Sequence, residues 1–411
     1  NGRIPIDLRL QPVDERRLDD RLDVEILADG VPAALFASLV RGFERVDGTV
    51  DGRLAIGGTT LDPALGGELT LTGGRATWAV SGVRYTDVKG TFRVLSDQLV
   101  DVALDAKAGD GRARVSGAIT FAPISDPSFD LVLDAEQFLA ARRRDVDLVG
   151  TGRLTLRGRY TRPEVTGALR VDQGTLYLDE IWRQFQRFSF DDPLLFDFAV
   201  LDTSAVSVRR LISASTNPFV TNLVADVAVD VGRGSWLKGR GLNIEVNGRL
   251  QVQYDRRAED LRITGTLHAI RGGRYDLYLA EALPVRSFTV SQGTIEFDGT
   301  PGLNPDLDIV ATHRVARQNG PLLVEAVVTG DLESPRVTLR SNEEPPISES
   351  DLLSYVIFGR PTYQLAGRES QQLGQANQLG IGVLTPSLFG FATLGLETFA
   401  SNLGIADYIA V

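Results

Sequence analysis

The 411-residue chain has no cysteine and no methionine, and only two histidines. Without cysteine there are no disulfides, thiolate metal sites or thiol nucleophiles. That fits an exported protein that folds without disulfides. A chain that opens at Asn1 without methionine reads as a processed product or a piece of a longer one, and its first residues do not read as a signal peptide. The motifs HExxH, GxSxG, GxGxxG, the P-loop and the calcium-binding nonapeptide repeat are all missing. His268 sits on the polar side of an alternating segment and His313 closes another, where histidine is ordinarily solvated. Acidic pairs such as Asp19–Asp20, Asp191–Asp192 and Glu343–Glu344 fall in turn-like stretches. Adjacent strand residues point to opposite faces, which argues against a paired-carboxylate hydrolase. The expectation is a protein that is not an enzyme and uses no cofactor and no metal.

Lysine is scarce too, at Lys89, Lys107 and Lys238, as genome composition would produce. The net charge is −11, against a nonspecific grip on nucleic acid or anionic headgroups. Trp78, Tyr177 and Tyr275 recur at similar spacings, but no basic stripe accompanies them, so no nucleic-acid partner is expected.

Glycine, by contrast, is abundant at 42 residues, and its spacing shows a repeat of about one hundred residues. "GRL" begins at Gly52, Gly152 and Gly248; a second glycine follows at Gly67, Gly167 and Gly265, and a third at Gly74, Gly174 and Gly272. Each unit reads as strand, turn, strand, glycine turn, strand. Apolar residues alternate with polar ones. Leu54, Ile56, Leu69 and Leu71 belong to the first copy, Leu154, Leu156, Leu169 and Val171 to the second, and Leu250, Val252, Leu267 and Ala269 to the third. Arg53, Arg170 and His268 fall on the opposite side. Most of the first 345 residues read as strands of about five to eight residues. Two helices are expected, at Pro32–Phe43 and Asp134–Val146, with Arg142, Arg143 and Arg144 as a solvated last turn of the second.

An antiparallel sheet with one apolar face must bury that face or keep it for a partner. Helices are too few to cover it. Two arrangements remain open on pattern alone. One is a sheet closed on itself as a sandwich or solenoid. The other is a long curved antiparallel or mixed sheet, mostly β, forming a trough around something apolar. About two dozen strands at ~4.8 Å spacing would make a trough on the order of 100 Å long.

The style changes at "SNEEPPISESDLLSYVIFGRP" (341–361). Pro345 and Pro346 break the alternation, Ser348 with Asp351 has capping-box spacing, and a short apolar helix should end near Gly359. "LGIGVLTPSLFGFATLGL" (379–396) carries no charge, but its Gly380, Gly382, Pro386, Gly390 and Gly395 disfavour a spanning helix. It reads as an amphipathic segment lying across a trough mouth or against a partner. The domain plan is thus 1–345, a repeated β-trough with units near 33–130, 135–235 and 236–345, and 346–411, helical and apolar.

"LSYVIFGRP", with Ser354, Tyr355, Phe358, Gly359, Arg360 and Pro361, resembles the closing signature of the TamB family of AsmA-like bridge-like lipid-transport proteins. "GTIEFDGTPGLNPDLDIVATHRV" and "VEAVVTGDLESPRVTLRS" resemble the family's closing strands. The resemblance implies a curved β-sheet with an apolar interior in the periplasm of a diderm bacterium, anchored in the inner membrane by a segment this chain lacks. It further implies phospholipid acyl chains as cargo, an outer-membrane barrel protein of the TamA/BamA type as partner, and a role in outer-membrane protein assembly. A scaffold that serves barrel assembly without conducting lipid is the alternative.

Overall fold

A computed structural model describes residues 2–3, 22–35, 43–177, 218–277, 286–331 and 336–373, apart from 60, 80, 240, 259, 302–303, 318–319, 368 and 371–372. The strands are β1 (Gly2–Arg3), β2 (Asp23–Pro32), β3 (Phe43–Gly58), β4 (Pro63–Trp78), β5 (Val83–Ser96) and β6 (Leu99–Ala108). They continue with β7 (Gly111–Thr120), β8 (Ser128–Arg142), β9 (Val146–Arg159), β10 (Arg162–Tyr177), β11 (Val224–Gly239) and β12 (Leu242–Asp255). The last six are β13 (Asp260–Ala269), β14 (Arg274–Leu277), β15 (Arg286–Pro301), β16 (Asp306–Val315), β17 (Leu322–Asp331) and β18 (Arg336–Ser341). Helix α1 is Pro218–Thr221 and helix α2 is Glu349–Phe358.

These strands form one mixed sheet in chain order, each pairing with the next except β13 with β14. Pairing is antiparallel except between β10 and β11, which run parallel. At one place β13 and the short β14 follow one another between β12 and β15. At ~4.8 Å per step the ladder is on the order of 80 Å long.

The strands are longer than the alternation suggested: β3, β4, β10, β11 and β15 each have 16 residues. The reason lies in the third glycine of the repeat. Gly74 and Gly174 do not turn the chain; each sits beside a β-bulge inside a continuous strand. Gly272 likewise lies in an interruption between β13 and β14, which run on in the same direction between β12 and β15. A bulge interrupts alternation as a turn does, so one strand looks like two.

The same cause overturns the helix at Asp134–Val146. That stretch is the end of β8, a turn at Arg143–Asp145 and the start of β9. Gln137 has φ of 45°, and a bulge between Ala135 and Phe138 puts Ala135 opposite Gly152 and Phe138 opposite Gly150. The slipped spacing mimics a helical one. The three arginines flank a strand turn rather than a helix end: Arg143 pairs with Asp145 at 2.9 Å, while Arg144 is exposed. Of the other expected helix, Pro32 ends β2, Phe43 begins β3, and 36–42 lie outside the described residues.

The first two glycines of the repeat let neighbouring strands approach closely. Gly67 lies opposite Leu54, Gly167 opposite Leu154, and Gly265 opposite Leu250. At Gly167 φ is 145°, and an added Cβ would lie 2.2 Å from the Arg153 carbonyl oxygen. Only glycine allows the two backbones that close. Glycine inside a strand often marks such an approach.

Candidate functional site

The register carries one apolar face across the sheet. A single row runs Val31, Val50, Leu71, Gly90, Leu104 and Val115, then Leu133, Leu154, Gly167, Val227, Val252 and Ile263. Twelve strands contribute and no polar residue interrupts. A parallel row passes through Leu69, Phe92, Val102, Gly117, Leu131, Leu156 and Val165. All twelve candidate residues fall on this face. Leu54 and Ile56 lie opposite Gly67 and Leu65, Leu169 lies opposite Val229 and Gly152, and Val171 opposite Val231. Leu250 lies opposite Val229, Leu267 opposite Gly248, and Ala269 opposite Val246.

The other face is a ladder of charge. Arg53, Glu68, Arg93 and Asp101 stand opposite one another in succession, as do Asp130, Arg157 and Glu164. Arg93 Nε donates to Glu68 at 2.8 Å, and Arg153 Nε to Asp134 at 2.6 Å. The Arg93 hydrogen bond holds the Glu68 carboxyl below its ordinary range. Each exposed pair contributes little to stability, but together they mark this face as the one in water. Arg170 and His268 are exposed.

The apolar face is finished in two ways. Over β2 to β11 most of its leucines and valines, including Leu54, Leu154, Leu169 and Val171, are half-buried, Phe92 remains 36% exposed, and Val100 and Val102 are buried. Among the described residues no second sheet packs on this stretch. The buried cluster here sits where β5 and β8 reach past the short β6–β7 hairpin. Val83, Ala108 and Leu139 meet there, and the Arg142 N–H donates to the Ser81 carbonyl at 2.8 Å. Phe43 stacks on Trp78 at 6.1 Å, and Tyr85 on Phe138 at 5.8 Å. Burial raises the Tyr85 hydroxyl pKa.

Over β12 to β18 part of the same face is covered by α2. Leu352 and Val356 pack among Ile244, Val246, Phe288, Val290, Ala311 and Val324, and Leu322 and Val324 are fully buried. Ala269 and Tyr275 pack against this cluster, and burial pushes the Tyr275 hydroxyl up to about 12. On its other side the helix sets Leu353 and Ile357 against Leu373.

The signature builds this cover. The Asp351 N–H donates to Ser348 Oγ at 3.2 Å, closing the N-terminus, and Gly359 at φ 75° closes the other end through the Tyr355 carbonyl at 2.9 Å. Buried Ser354 donates its hydroxyl to the Arg360 carbonyl at 2.7 Å, while the Arg360 guanidinium bonds Glu369. Pro361 is buried, Phe358 joins the Leu353 cluster, and the Arg317 guanidinium lies 5.9 Å from the Tyr355 ring. The Thr362 hydroxyl and N–H donate to Asp351 Oδ1 at 2.6 and 2.9 Å and hold that carboxyl below its usual range.

Two residues outside the signature fasten the helix to the sheet. Arg286 on β15 donates to the Val356 and Ile357 carbonyls, each at 2.6 Å, supplying partners to the helix C-terminus. Glu349 Oε1 accepts the Leu339 N–H of edge strand β18 at 3.0 Å, so the edge is partly satisfied. Sequence reasoning missed both. Arg286 lies 70 positions from Val356, with no local motif to point to it.

The segment 379–396 lies outside the described residues; none of the described helices is long and apolar enough to cross a membrane.

Known proteins match the same chain. The model of the TamB C-terminal domain matches residues 101–408. The chain is 23% identical over 385 residues to translocation and assembly module subunit TamB of Haemophilus influenzae, covering 93% of this chain. It spans 28% of that relative's length. With the matched region extending from β6 through the α2 signature, the chain belongs to the TamB family.

Proposed function

We propose that the chain carries phospholipid acyl chains along its apolar face, as one segment of a periplasmic bridge between the inner and outer membranes of a diderm bacterium. The observation behind this is the unbroken apolar row from Val31 to Ile263, whose leucines and valines stay half-buried over β2 to β11. Side chains in a dry core would be buried. Exposing an acyl chain of about sixteen carbons costs on the order of 12 kcal/mol, at about 0.8 kcal/mol per CH₂. A strip that meets the chain at every strand lowers that barrier along its whole length and needs no catalytic group. The protein is not an enzyme on this reading. Its partner is an outer-membrane barrel protein of the TamA/BamA type, and its wider role is outer-membrane protein assembly.

The test is native mass spectrometry of the chain purified gently from a diderm host. Phospholipid should co-purify. Repeated preparations free of lipid would count decisively against it. A second reading is supported by the sealed core beneath α2: there the sheet is a scaffold for barrel assembly with no room for an acyl chain.

A further inference from the structure

The strands run from one long rim of the sheet to the other, and the two rims differ in charge. One rim holds the turns β4–β5, β6–β7, β8–β9, β11–β12 and β16–β17. It carries Arg84, Arg144, Lys238 and Arg314, none of which makes an ion pair among the described residues. Others of this rim, such as Arg143, Arg274 and Arg317, are paired with carboxylates. The opposite rim holds the turns β3–β4, β5–β6, β7–β8, β9–β10, β12–β13, β15–β16 and β17–β18. There carboxylates outnumber guanidiniums among the described residues, with Asp62, Asp97, Asp126, Asp260 and Asp306 in or beside the turns. Aromatic rings line both rims (Phe43, Trp78 and Tyr85 on the first, Phe129, Tyr160 and Phe219 on the second), so rings do not distinguish them.

We infer that the basic rim is the track for the phosphate of a bound phospholipid, and that the acidic rim repels it. This rests on the acyl-chain reading above. A chain lying on the apolar face must let its headgroup out at a rim. A phosphodiester leaving beside Arg144 or Arg84 gains charge-assisted hydrogen bonds, whereas beside Asp97 or Asp306 it meets like charge. The chain is −11 overall, so the basic rim stands out against its background. The lipid is then held in one orientation about the long axis, and the free cations, spread from β4–β5 to β16–β17, let the phosphate pass from one to the next.

The experiment compares two lipids with identical acyl chains, dioleoylphosphatidylglycerol and dioleoylglycerol, offered in equal amounts in detergent and counted on the protein by native mass spectrometry. Wild type should prefer the phospholipid. The pair Arg144→Glu and Arg84→Glu should lower that preference about tenfold, near 1.4 kcal/mol, and the Gln pair less. The pair Arg162→Glu and Arg257→Glu, exposed on the acidic rim with the same change in net charge, should leave it unaltered. Equal binding of the two lipids by wild type, or equal loss in both Glu pairs, overturns the basic track while leaving the acyl-chain reading in place. Binding of neither lipid overturns the acyl-chain reading itself, and the track with it.

Discussion

Strands β2–β11 and strands β12–β18 share one apolar face but hold their shape by different means. The first region has few fully buried side chains on that face. Its form comes from the backbone, with glycines at positive φ letting neighbouring strands touch and a ladder of ion pairs on the far side. The second region has a side-chain core, closed by a helix that a signature motif caps and an arginine fastens. A face that must stay available cannot rely on side chains packing against a cover. It needs a backbone that curves without one.

That difference predicts where substitutions hurt. The largest effect is expected at Gly167→Val, where the new Cβ meets the Arg153 carbonyl at 2.2 Å. The loss should exceed about 4 kcal/mol, enough to prevent folding, as read by soluble yield and circular dichroism. A well-folded Val variant would show that the open region does not depend on its glycines. Next, Leu352→Ala in the sealed region should cost about 2–5 kcal/mol, whereas Leu154→Ala on the open face should cost about 1 kcal/mol. Equal shifts in urea midpoint would erase the comparison.

Arg286→Ala removes two charge-assisted bonds to the end of α2 and should weaken its docking by about 1.5–3 kcal/mol. Hydrogen exchange should quicken at 349–358 and leave β3–β10 unchanged; quickening across both regions would mean that α2 and the open sheet are one cooperative unit. The smallest effect is on pH. Asp351 titrates below its unfolded value of about 3.9 because Thr362 and Ser348 bond its charged form. Its contribution is therefore complete above that value and fades as pH falls through the lower, folded one. Asp351→Asn should be less stable than wild type at pH 7, and the gap should narrow as pH falls below about 3.9; a gap that does not narrow in acid would assign the effect to shape rather than charge.

Much of this division was visible in the amino-acid order. The alternation at Leu54, Leu154 and Leu250 gave the face, and the glycines at 52, 67, 152 and 167 marked the repeat that lets neighbouring strands approach closely. Ser348, Asp351 and Gly359 bounded α2 because caps are local chemistry. Strand length was hidden, since the irregularities beside Gly74, Gly174 and Gln137 break periodicity in ways that look like a turn or a helix. The cover over β12–β18 was hidden for another reason. Whether an apolar helix packs on its own sheet or on a partner depends on distant contacts such as Arg286 with Val356, which no short window contains.

The most direct test places a photo-crosslinking residue at Leu169, at Arg170 or at Val324 and identifies adducts after purification from a diderm host. Leu169 lies on the open apolar face, Arg170 on the charged face and Val324 beneath α2. Phospholipid adducts are predicted at Leu169 alone. Equal labelling at Leu169 and Arg170, or labelling at Val324 as strong as at Leu169, would contradict an open acyl-chain track that ends where the helix begins.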